Sequence, residues 1–242
     1  MKHLSDPHGV IRTSTASAPW PRSARNRKMD WALLDRVEPI SRQFGYDRGA
    51  CIDRYYIERF LCEHAPDIRG HVLEIGENRY TRQFGGDRVI RSDVLHVVDG
   101  NPKATLVGDL TDRKSIESDA FDCVILTQTL QHIYDIKAVV QTVYDLLSPE
   151  GVVLCTVPGI SQISRYDMDR WGDYWRFTSM SLRRLWGESF EPKSIKVEAF
   201  GNVMAAVAFL HGLAVEDVEA PKLDAHDPDY ELLLTVRACK IG

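Results

Sequence analysis

Acidic residues and one glycine stand at or near the ends of short apolar runs, where their chemistry suits a nucleoside. Glu74 and Gly76 close the run "HVLEIG" (71–76), Asp93 comes late in "DRVIRSDV", and Asp109 lies inside "GDL". A carboxylate at a strand end can accept hydrogen bonds from both hydroxyls of a ribose, and a second acid or its backbone can meet an adenine amino group. The pattern predicts a site for an adenosine-containing cofactor.

The turn after Gly76 limits which cofactor fits. A dinucleotide fingerprint needs three glycines, because the backbone must approach a pyrophosphate and the following helix must pack closely on the strand. Here "ENRY" (77–80) follows the single glycine. Asparagine is the non-glycine residue that best tolerates a left-handed backbone, so Asn78 is expected to preserve a tight turn. NAD and FAD are therefore disfavoured, whereas a cofactor without a pyrophosphate remains compatible.

A histidine follows the fourth apolar run and could act as a base. His132 stands in "LQHIYD", and imidazole titrates near neutral pH, so it could take a proton from an acceptor. The alternative is a histidine that merely packs against or caps the next helix. Asp135 is expected to cap "DIKAVVQ". The His, Asp and Glu residues show no convincing metal spacing, so no metal site is predicted.

The segment "ISQISRYDMDRWGDYWRFTSMSLRRLW" (160–186) is dense in aromatic and charged residues. Long ordered loops are often functional, and aromatic faces stack on flat or sugar-like ligands. We therefore predict a lid over the acceptor; the alternative is a surface loop whose aromatic side chains plug the domain. The residues predicted to bind substrate are Tyr166, Trp171, Asp173, Tyr174, Trp175 and Arg176.

Short apolar runs alternating with amphipathic segments would position these residues. This alternation predicts an α/β fold that is doubly wound around a mostly parallel seven-stranded sheet, with an antiparallel C-terminal strand and N-terminal helices. Ligands then bind at the carboxyl ends of the strands. The predicted strands are 71–76, 87–94, 104–110, 121–128, 151–158, 194–201 and 230–240; the predicted helices are 31–40, 51–64, 136–147, a capped helix from Ser179, and 203–218.

Length and charge divide the 242 residues into one main domain with appendages. Residues 1–28 carry six basic residues and one acid, whereas the remaining chain has a net charge of -10. We expect a basic, disordered tail at 1–28, a helical segment at 29–66 and a main domain at 67–242. A nucleic-acid arm or an organelle address is the alternative for the tail. The acidic body disfavours a large nucleic-acid footprint.

Other features narrow the class of protein. No apolar stretch approaches the roughly 20 residues of a membrane span, and the N-terminus lacks a continuous apolar segment of the signal-peptide type. The five scattered cysteines form no C-x-x-C pair and are typical of buried residues in a reducing compartment. We expect a cytoplasmic protein without a membrane partner, and the sequence leaves a homo-oligomer open.

The order of the runs resembles the class I S-adenosylmethionine-dependent methyltransferases, specifically the small-molecule group with a generic methyltransferase domain. "VLEIG" is similar to that family's first motif, "SDV" to its ribose-binding acid and "VGDL" to its adenine-side motif. "FDCVILTQTLQHIYD" is similar to its fourth strand and following loop, and "LLSPEGVVLCTVP" to its passage into the fifth strand. The resemblance covers residues 71–158 and extends more loosely to 240; the turn "ENRY" departs from it.

The resemblance implies a Rossmann-like fold and S-adenosylmethionine as the cofactor, with S-adenosylhomocysteine as the product. "DYWRFT" further resembles methyltransferases of glycan and natural-product pathways, which implies a small-molecule acceptor and favours O-methylation. A non-catalytic nucleoside-binding module and an RNA methyltransferase are the alternatives. The residues implied are Glu74, Gly76, Glu77 and Asn78 for the methionine side, Asp93 and Val94 for the ribose, Asp109 and Leu110 for the adenine, and Thr127 and Gln128 beside the sulfonium.

Overall fold

The computed structural model describes residues 35–242, whose centre is a seven-stranded mixed sheet. The strands lie in the order β3-β2-β1-β4-β5-β7-β6, and β7 is antiparallel to both of its neighbours. The predicted fold class is confirmed. The strands are β1 (Gly70–Ile75), β2 (Val89–His96), β3 (Leu106–Val107), β4 (Phe121–Thr127), β5 (Leu147–Pro158), β6 (Ile195–Phe200) and β7 (Leu233–Cys239).

Helices cover both faces of the sheet. One hydrophobic cluster joins the sheet to α2 and α4, and the other joins it to α1, α5 and α6. Because both faces are buried, β4 and β5 read as nearly continuous apolar runs rather than alternating ones. The helices are α1 (Ile52–Glu63), α2 (Ile136–Leu146), α3 (Arg165–Met168), α4 (Ser179–Trp186), α5 (Val203–Leu210) and α6 (Ala220–Asp224).

Side-chain caps begin α2 and α4 where the sequence places them. The carboxylate of Asp135 accepts a hydrogen bond from the Ala138 amide at 3.1 Å, so its predicted capping role is confirmed. Thr178 and Ser181 exchange hydrogen bonds across the first turn of α4. Such caps satisfy amides that have no partner within the helix and typically stabilise it by about 1 kcal/mol.

Several predicted boundaries are wrong. The described part of the predicted helix 31–40, residues 35–40, consists of bends, and the rest lies outside the described residues, as does the predicted tail 1–28. The predicted helix 203–218 ends as α5 at Leu210, because Gly212 turns the chain in a left-handed conformation (φ 70°). A side chain there would contact the Ser41 carbonyl at 2.3 Å. The predicted second strand continues two residues beyond Val94, to His96, so its end lies further along than expected.

The connection from β1 to β2 contains no α-helix. A π-helical turn, Thr81–Gly85, and a 3₁₀ turn, Gly86–Arg88, fill it instead. The side chains of Tyr80 and Phe84 stack at 6.1 Å and join the hydrophobic cluster of α1. This compact connection places the turn after β1 directly against the N-terminal part of the chain.

Residues 40–51, here called the N-terminal segment, are tied to the connection between α5 and α6. The Ile40 and Ser41 amides donate to the His211 carbonyl at 2.9 and 3.0 Å. Arg48 forms a two-pronged ion pair with Asp217 at 2.9 and 3.0 Å. These contacts hold the segment across the carboxyl ends of the strands.

Residues 35–242 hold no helix with the length and apolar character needed to cross a membrane. Over the same residues, no group of three His, Cys, Asp or Glu side chains could hold a metal ion. All five cysteines are free.

Candidate active site

A cavity of about 1440 Å³ opens at the carboxyl ends of β1, β2, β4 and β5. The strand order reverses beside β1, which is where ligands bind in open α/β sheets. A typical small-molecule pocket measures roughly 300–1,000 Å³, so this one has room for two ligands. Its walls come from the strand ends, the N-terminal segment and a loop, residues 160–177, here called the lid.

Glu74 lines the cavity at the end of β1 and shapes the turn that follows. Its buried carboxylate accepts hydrogen bonds from the Tyr80 amide at 3.1 Å, the Thr81 amide at 2.8 Å and the Thr81 hydroxyl at 2.7 Å. Burial raises the pKa of Glu74 although these three donors oppose the shift. The carboxylate therefore fastens the start of the π-helical turn.

Gly76 alone carries the left-handed conformation in this turn. It has a φ of 80°, and no heavy atom lies within 4 Å of the position that a Cβ would occupy. Glu77 lines the cavity and pairs with Lys103 at 2.5 Å, which lowers its pKa. Asn78 neither adopts a positive φ nor lines the cavity; its amide donates to the Ser92 hydroxyl at 3.2 Å.

The structure does not bring Asp93 or Val94 to the cavity. Because β2 runs on to His96, Asp93 lies inside the strand, opposite Leu73. Its buried carboxylate contacts the His71 Nε2 at 2.6 Å, the Thr105 hydroxyl at 2.7 Å and the Arg91 Nε at 3.0 Å. Asp93 therefore lies within the strand rather than at its carboxyl end, where a ribose ligand was expected, and its oxygens are already occupied.

His96 occupies the strand-end position that was expected to hold an acid. Ile75 pairs with Leu95, so His96 lies level with Gly76 at the cavity wall. Its Nδ1 lies 2.8 Å from the Val98 carbonyl and 3.4 Å from the Val98 amide, so the Val98 backbone occupies Nδ1, and Nε2 has no hydrogen-bond partner among the described residues. The continuing apolar run "DVLHVV" is the signal that could have shown the true end of the strand.

Asp109 and Leu110 line the cavity beyond β3, as predicted. The Asp109 Oδ1 accepts from the Thr111 amide at 2.8 Å and the Thr111 hydroxyl at 2.9 Å, and its Oδ2 has no hydrogen-bond partner among the described residues. Leu110 is buried and supplies an apolar surface. The pair offers one free acceptor next to an apolar surface, which suits the edge and face of a purine.

Thr127 and Gln128 line the cavity at the end of β4, also as predicted. Gln128 adopts a left-handed backbone (φ 47°), which is a strained conformation for a residue with a side chain. Gln131 donates its Nε2 to the Gln128 Oε1 at 3.1 Å. The remaining amide atoms, Nε2 of Gln128 and Oε1 of Gln131, are buried without a partner. This pair therefore presents one donor and one acceptor that no described residue satisfies.

His132 lies beside these glutamines, at the end of a 3₁₀ turn (Leu130–His132), and lines the cavity. Its Nδ1 contacts the Gly172 carbonyl at 2.8 Å, so Nδ1 carries a proton. Its Nε2 lies 4.0 Å from the Asp167 carboxylate. In the neutral ring, Nε2 is then the unprotonated nitrogen, which is the form that a general base requires.

The lid brings aromatic rings to the mouth of the cavity. Tyr166, Trp171 and Tyr174 line it, and each keeps an exposed surface. The Trp171 ring also meets the His96 ring edge-on at 5.6 Å. The predicted lid 160–186 is shorter in the structure, since from Ser179 the chain forms α4, whose Leu182 and Trp186 are buried in the core.

Three predicted substrate residues hold the lid together, and two of them, Asp173 and Arg176, also line the cavity. The buried carboxylate of Asp173 forms a two-pronged pair with Arg176 at 2.5 and 3.0 Å and accepts from the Ser164 amide at 3.1 Å. Burial opposes ionisation of Asp173, but Arg176 holds its pKa below the usual value. Trp175 does not line the cavity: it packs on the core and donates its Nε1 to the Ile133 carbonyl at 3.1 Å.

Residues near the start of α1 form a charged end of the cavity that sequence reasoning missed. Arg54 donates to the Tyr46 hydroxyl at 3.0 Å and to the Tyr80 hydroxyl at 3.1 Å. The Asp53 Oδ1 is buried without a hydrogen-bond partner. In the sequence these residues read only as the first turn of an amphipathic helix, because their approach to Gly76 depends on the folded N-terminal segment.

A family model described as a methyltransferase domain matches residues 42–198, well over half of the chain. No curated protein matches the chain. The matched residues include β1 to β5, the N-terminal residues that close the cavity, and the whole lid.

Solved structures similar to this chain share its fold at low sequence identity. A SAM-dependent methyltransferase from Archaeoglobus fulgidus is 12% identical with a TM-score of 0.51, covering 78% of this chain and 94% of that one. The 1,6-didemethyltoxoflavin-N1-methyltransferase of Burkholderia thailandensis, solved with 1,6-didemethyltoxoflavin and S-adenosylhomocysteine, is 16% identical with a TM-score of 0.50, covering 81% of each chain. The [4+2]-cyclase SpnF is 15% identical with a TM-score of 0.50, covering 78% of this chain and 82% of that one.

Proposed function

Since the chain belongs to the methyltransferase-domain family of class I S-adenosylmethionine-dependent methyltransferases, we propose that it methylates a hydroxyl of a small molecule, on a sugar-containing or natural-product acceptor. The observation that carries the proposal is His132, whose Nε2 is free to accept a proton beside a cavity large enough for donor and acceptor together. The cofactor is S-adenosylmethionine, and the product is S-adenosylhomocysteine.

The described residues fit this cofactor. Gly76 leaves open space at the turn after β1, and Asp109 offers a free carboxylate oxygen next to the apolar Leu110. The unpartnered amide atoms of Gln128 and Gln131 suit the nucleoside or the adjoining chain. His96 replaces the expected acid at the end of β2, and its Nε2 can accept a hydrogen bond from a ribose hydroxyl.

Asp53 and Arg54 suit the amino-acid end of the cofactor. That end carries an ammonium and a carboxylate, and the cavity presents a buried, unpartnered carboxylate oxygen beside a guanidinium. Arg54 uses two of its five N–H donors on tyrosine hydroxyls, which leaves others for a carboxylate. The charged pair lies on the Gly76 side of the cavity, away from His132.

The chemistry assigned to the chain is alignment and proton removal. When bound, S-adenosylmethionine supplies an electrophilic methyl group on a sulfonium. His132 accepts the hydroxyl proton at Nε2 while the acceptor oxygen bonds to the methyl carbon and the carbon–sulfur bond breaks, leaving a neutral thioether. Holding the reactants at contact distance contributes roughly 7–11 kcal/mol, and a base adds on the order of 10²–10⁴-fold for a neutral hydroxyl.

The acceptor side of the cavity favours a neutral, flat or sugar-like molecule. Tyr134, Tyr166, Trp171 and Tyr174 line it and expose their rings. Of the lid cations, Arg176 pairs with Asp173, Arg170 lies 3.5 Å from the centre of the Tyr166 ring, and the exposed Arg165 lines the cavity with Asp169 3.9 Å away. The exposed aromatic faces suit sugars and ring systems.

The test is calorimetric titration followed by methyl transfer. The wild-type protein is expected to bind S-adenosylmethionine and S-adenosylhomocysteine at micromolar concentration and to methylate a hydroxyl compound from a panel of glycosides and polycyclic natural products. His132→Gln is expected to lower turnover by about 10²–10⁴-fold with the cofactor affinity unchanged. His226→Gln, at an exposed histidine that does not line the cavity, is the control and should change neither turnover nor cofactor affinity.

Four outcomes would contradict the proposal. Binding of neither nucleoside would show that the donor site does not function in this chain. Salt-dependent RNA affinity that disappears when residues 1–28 are removed would favour an RNA methyltransferase. Full turnover by His132→Gln, or transfer to nitrogen compounds alone, would remove the hydroxyl assignment.

A further inference from the structure

The His132 ring contacts polar groups of the lid, whereas its own 3₁₀ turn contributes only backbone hydrogen bonds. Both lid partners come from a short stretch of chain: the Gly172 carbonyl contacts Nδ1 at 2.8 Å, and an Asp167 oxygen lies 4.0 Å from Nε2. The Asp167 carboxylate is itself fixed by the Ser164 hydroxyl at 2.5 Å. The ring is largely buried, with 15% of its side chain exposed, so water cannot easily substitute for these partners.

The carbonyl decides which ring nitrogen is free. A neutral imidazole carries one proton, and a carbonyl can only accept, so contact with Gly172 keeps that proton on Nδ1. Without the carbonyl, the ring could place its proton on Nε2, and a base with a protonated Nε2 cannot accept a proton from the acceptor. The Asp167 carboxylate then lies on the side where positive charge develops once Nε2 is protonated.

We propose that Gly172 and Asp167 are positioning residues that make His132 a competent base only while the lid is seated over the cavity. The proposal rests on the function proposed above and adds that the lid both covers the acceptor and completes the base. Proton removal is thereby confined to the closed site.

The lid conformation that presents this carbonyl requires glycine. Gly172 has a φ of 99°, and a Cβ there would lie 2.3 Å from the Tyr174 ring. Several contacts seat the surrounding chain: the Tyr174 amide donates to the Gln131 carbonyl at 2.8 Å, and the Phe177 amide donates to the Pro158 carbonyl at 3.0 Å. These two hydrogen bonds fix the stretch of chain that follows Gly172.

Few charges face His132 from the packed elements. Asp167 is the nearest, and Asp173 also lies in its field, although Asp173 is neutralised by Arg176. Asp169, two residues from Asp167, points to solvent, where it pairs with Arg165 at 3.9 Å. Asp169 therefore provides a matched control within the same turn.

The first experiment reads the tautomer directly, without substrate. Imidazole ¹⁵N chemical shifts of the full chain are recorded at a pH where His132 is neutral, with His132→Gln used for assignment. The wild type is expected to show the proton on Nδ1. A wild-type signal with the proton on Nε2 would overturn the proposal, whether or not methyl transfer is ever observed.

Two alanine variants then test whether the position of the Gly172 carbonyl sets the tautomer of His132. Gly172→Ala is expected to shift the His132 signal towards the Nε2-protonated form. Gly100→Ala carries similar backbone strain (φ 103°) in open space and should leave the tautomer unchanged. An unchanged signal in Gly172→Ala counts against the proposal.

The carboxylate is tested by kinetics with the acceptor found for the wild type. Asp167→Asn keeps the shape and is expected to lower kcat about tenfold, with the KM for the acceptor and the Kd for S-adenosylhomocysteine unchanged, because only the charged transition state loses a partner. Asp169→Asn should change none of the three. Equal kcat values for the two variants would show that Asp167 does not position the base. Since the tautomer is read without turnover, an inactive wild type would contradict the proposed function alone.

Discussion

At the scale of single residues, Asp93 shows how an acid that stabilises the fold differs from an acid that binds a ligand. Its carboxylate is 5% exposed and is occupied by His71, Thr105 and Arg91. Asp93→Asn should therefore lower the free energy of unfolding by about 1.5–3 kcal/mol, which is typical of a lost charged hydrogen bond, and leave the affinity for S-adenosylhomocysteine unchanged. Chemical denaturation and calorimetry measure the two quantities, with the exposed Asp87→Asn as control.

The same residue predicts a pH dependence of stability. Burial opposes the charge of Asp93, but the donors His71 and Thr105, together with Arg91, hold its folded-state pKa below the usual value. Its contribution is therefore fully present above the unfolded-state pKa and is lost as the pH falls through the folded-state pKa. Between about pH 5 and pH 2, the unfolding free energy of the wild type should fall more steeply than that of Asp93→Asn; parallel curves would contradict this reading.

His96 is the residue that we expect to matter for the cofactor at the end of β2. Loss of one hydrogen-bond acceptor for a ribose hydroxyl should cost about 1–2 kcal/mol, so His96→Ala should bind S-adenosylhomocysteine roughly five- to thirtyfold more weakly. His226→Ala, an exposed histidine outside the cavity, is the control. Unchanged affinity in His96→Ala would leave the ribose to another residue.

Asp93 and His96 also show where sequence reasoning stops. The run "VIRSDVLHVV" predicts a strand, but the residue at which the strand ends was not predictable, because it is set by pairing with β1. A shift of two or three residues moves a carboxylate from the cavity into the body of the sheet. Asp109, Thr127 and Gln128 were predictable because Gly or a helix start marks the ends of their strands clearly.

At the scale of elements, the lid depends on one buried ion pair. Asp173 is nearly inaccessible and Arg176 caps the Ser161 and Gln162 carbonyls as well, so the pair ties both arms of the lid together. Arg176→Met should leave the Asp173 charge buried and unpaired, loosening the lid. The KM for the acceptor should rise about tenfold or more, while the Kd for S-adenosylhomocysteine changes little.

Arg184→Met is the control for this prediction, since Arg184 is exposed on α4 and does not line the cavity. Equal KM values in the two variants would mean that the lid does not depend on the buried pair. Limited proteolysis gives a second measurement: cleavage between residues 160 and 177 should be faster in Arg176→Met than in Arg184→Met.

Elements were predictable where local signals agree, and were not where tertiary contacts decide. The strands are predicted by their short apolar runs, and α2 and α4 by apolar periodicity together with capping residues. All of these elements are present in the structure. The π-helical turn after β1 depends on the buried Glu74 carboxylate, which gathers amides six and seven residues away. The bends at 35–40 and the break after Leu210 arise because each segment packs on the other.

At the scale of the whole molecule, the N-terminal segment closes the proposed cofactor end of the cavity, as the lid closes the proposed acceptor end. Its chain is fastened to the connection after α5 through His211, Asp217 and a β-bridge between Cys51 and Ala214. It thereby carries Phe44 and Tyr46 to the wall of the site. Sequence reasoning placed these two residues only in the stretch between two helices ahead of the domain, because the partners of the N-terminal segment lie some 170 residues further along the chain.

Two truncations test this arrangement. Removal of residues 1–34 should leave the Tm and the Kd for S-adenosylhomocysteine unchanged, since the described cavity wall begins at Arg42. Removal of residues 1–50 takes away the Arg48–Asp217 pair, which leaves a buried carboxylate unpaired, and should lower the Tm by several degrees. The cofactor Kd should rise at least tenfold because Tyr46 no longer orients Arg54. If both truncated proteins bind the cofactor equally well, the N-terminal segment covers the site without contributing to it, and the assignment of the amino-acid end to Asp53 and Arg54 fails with it.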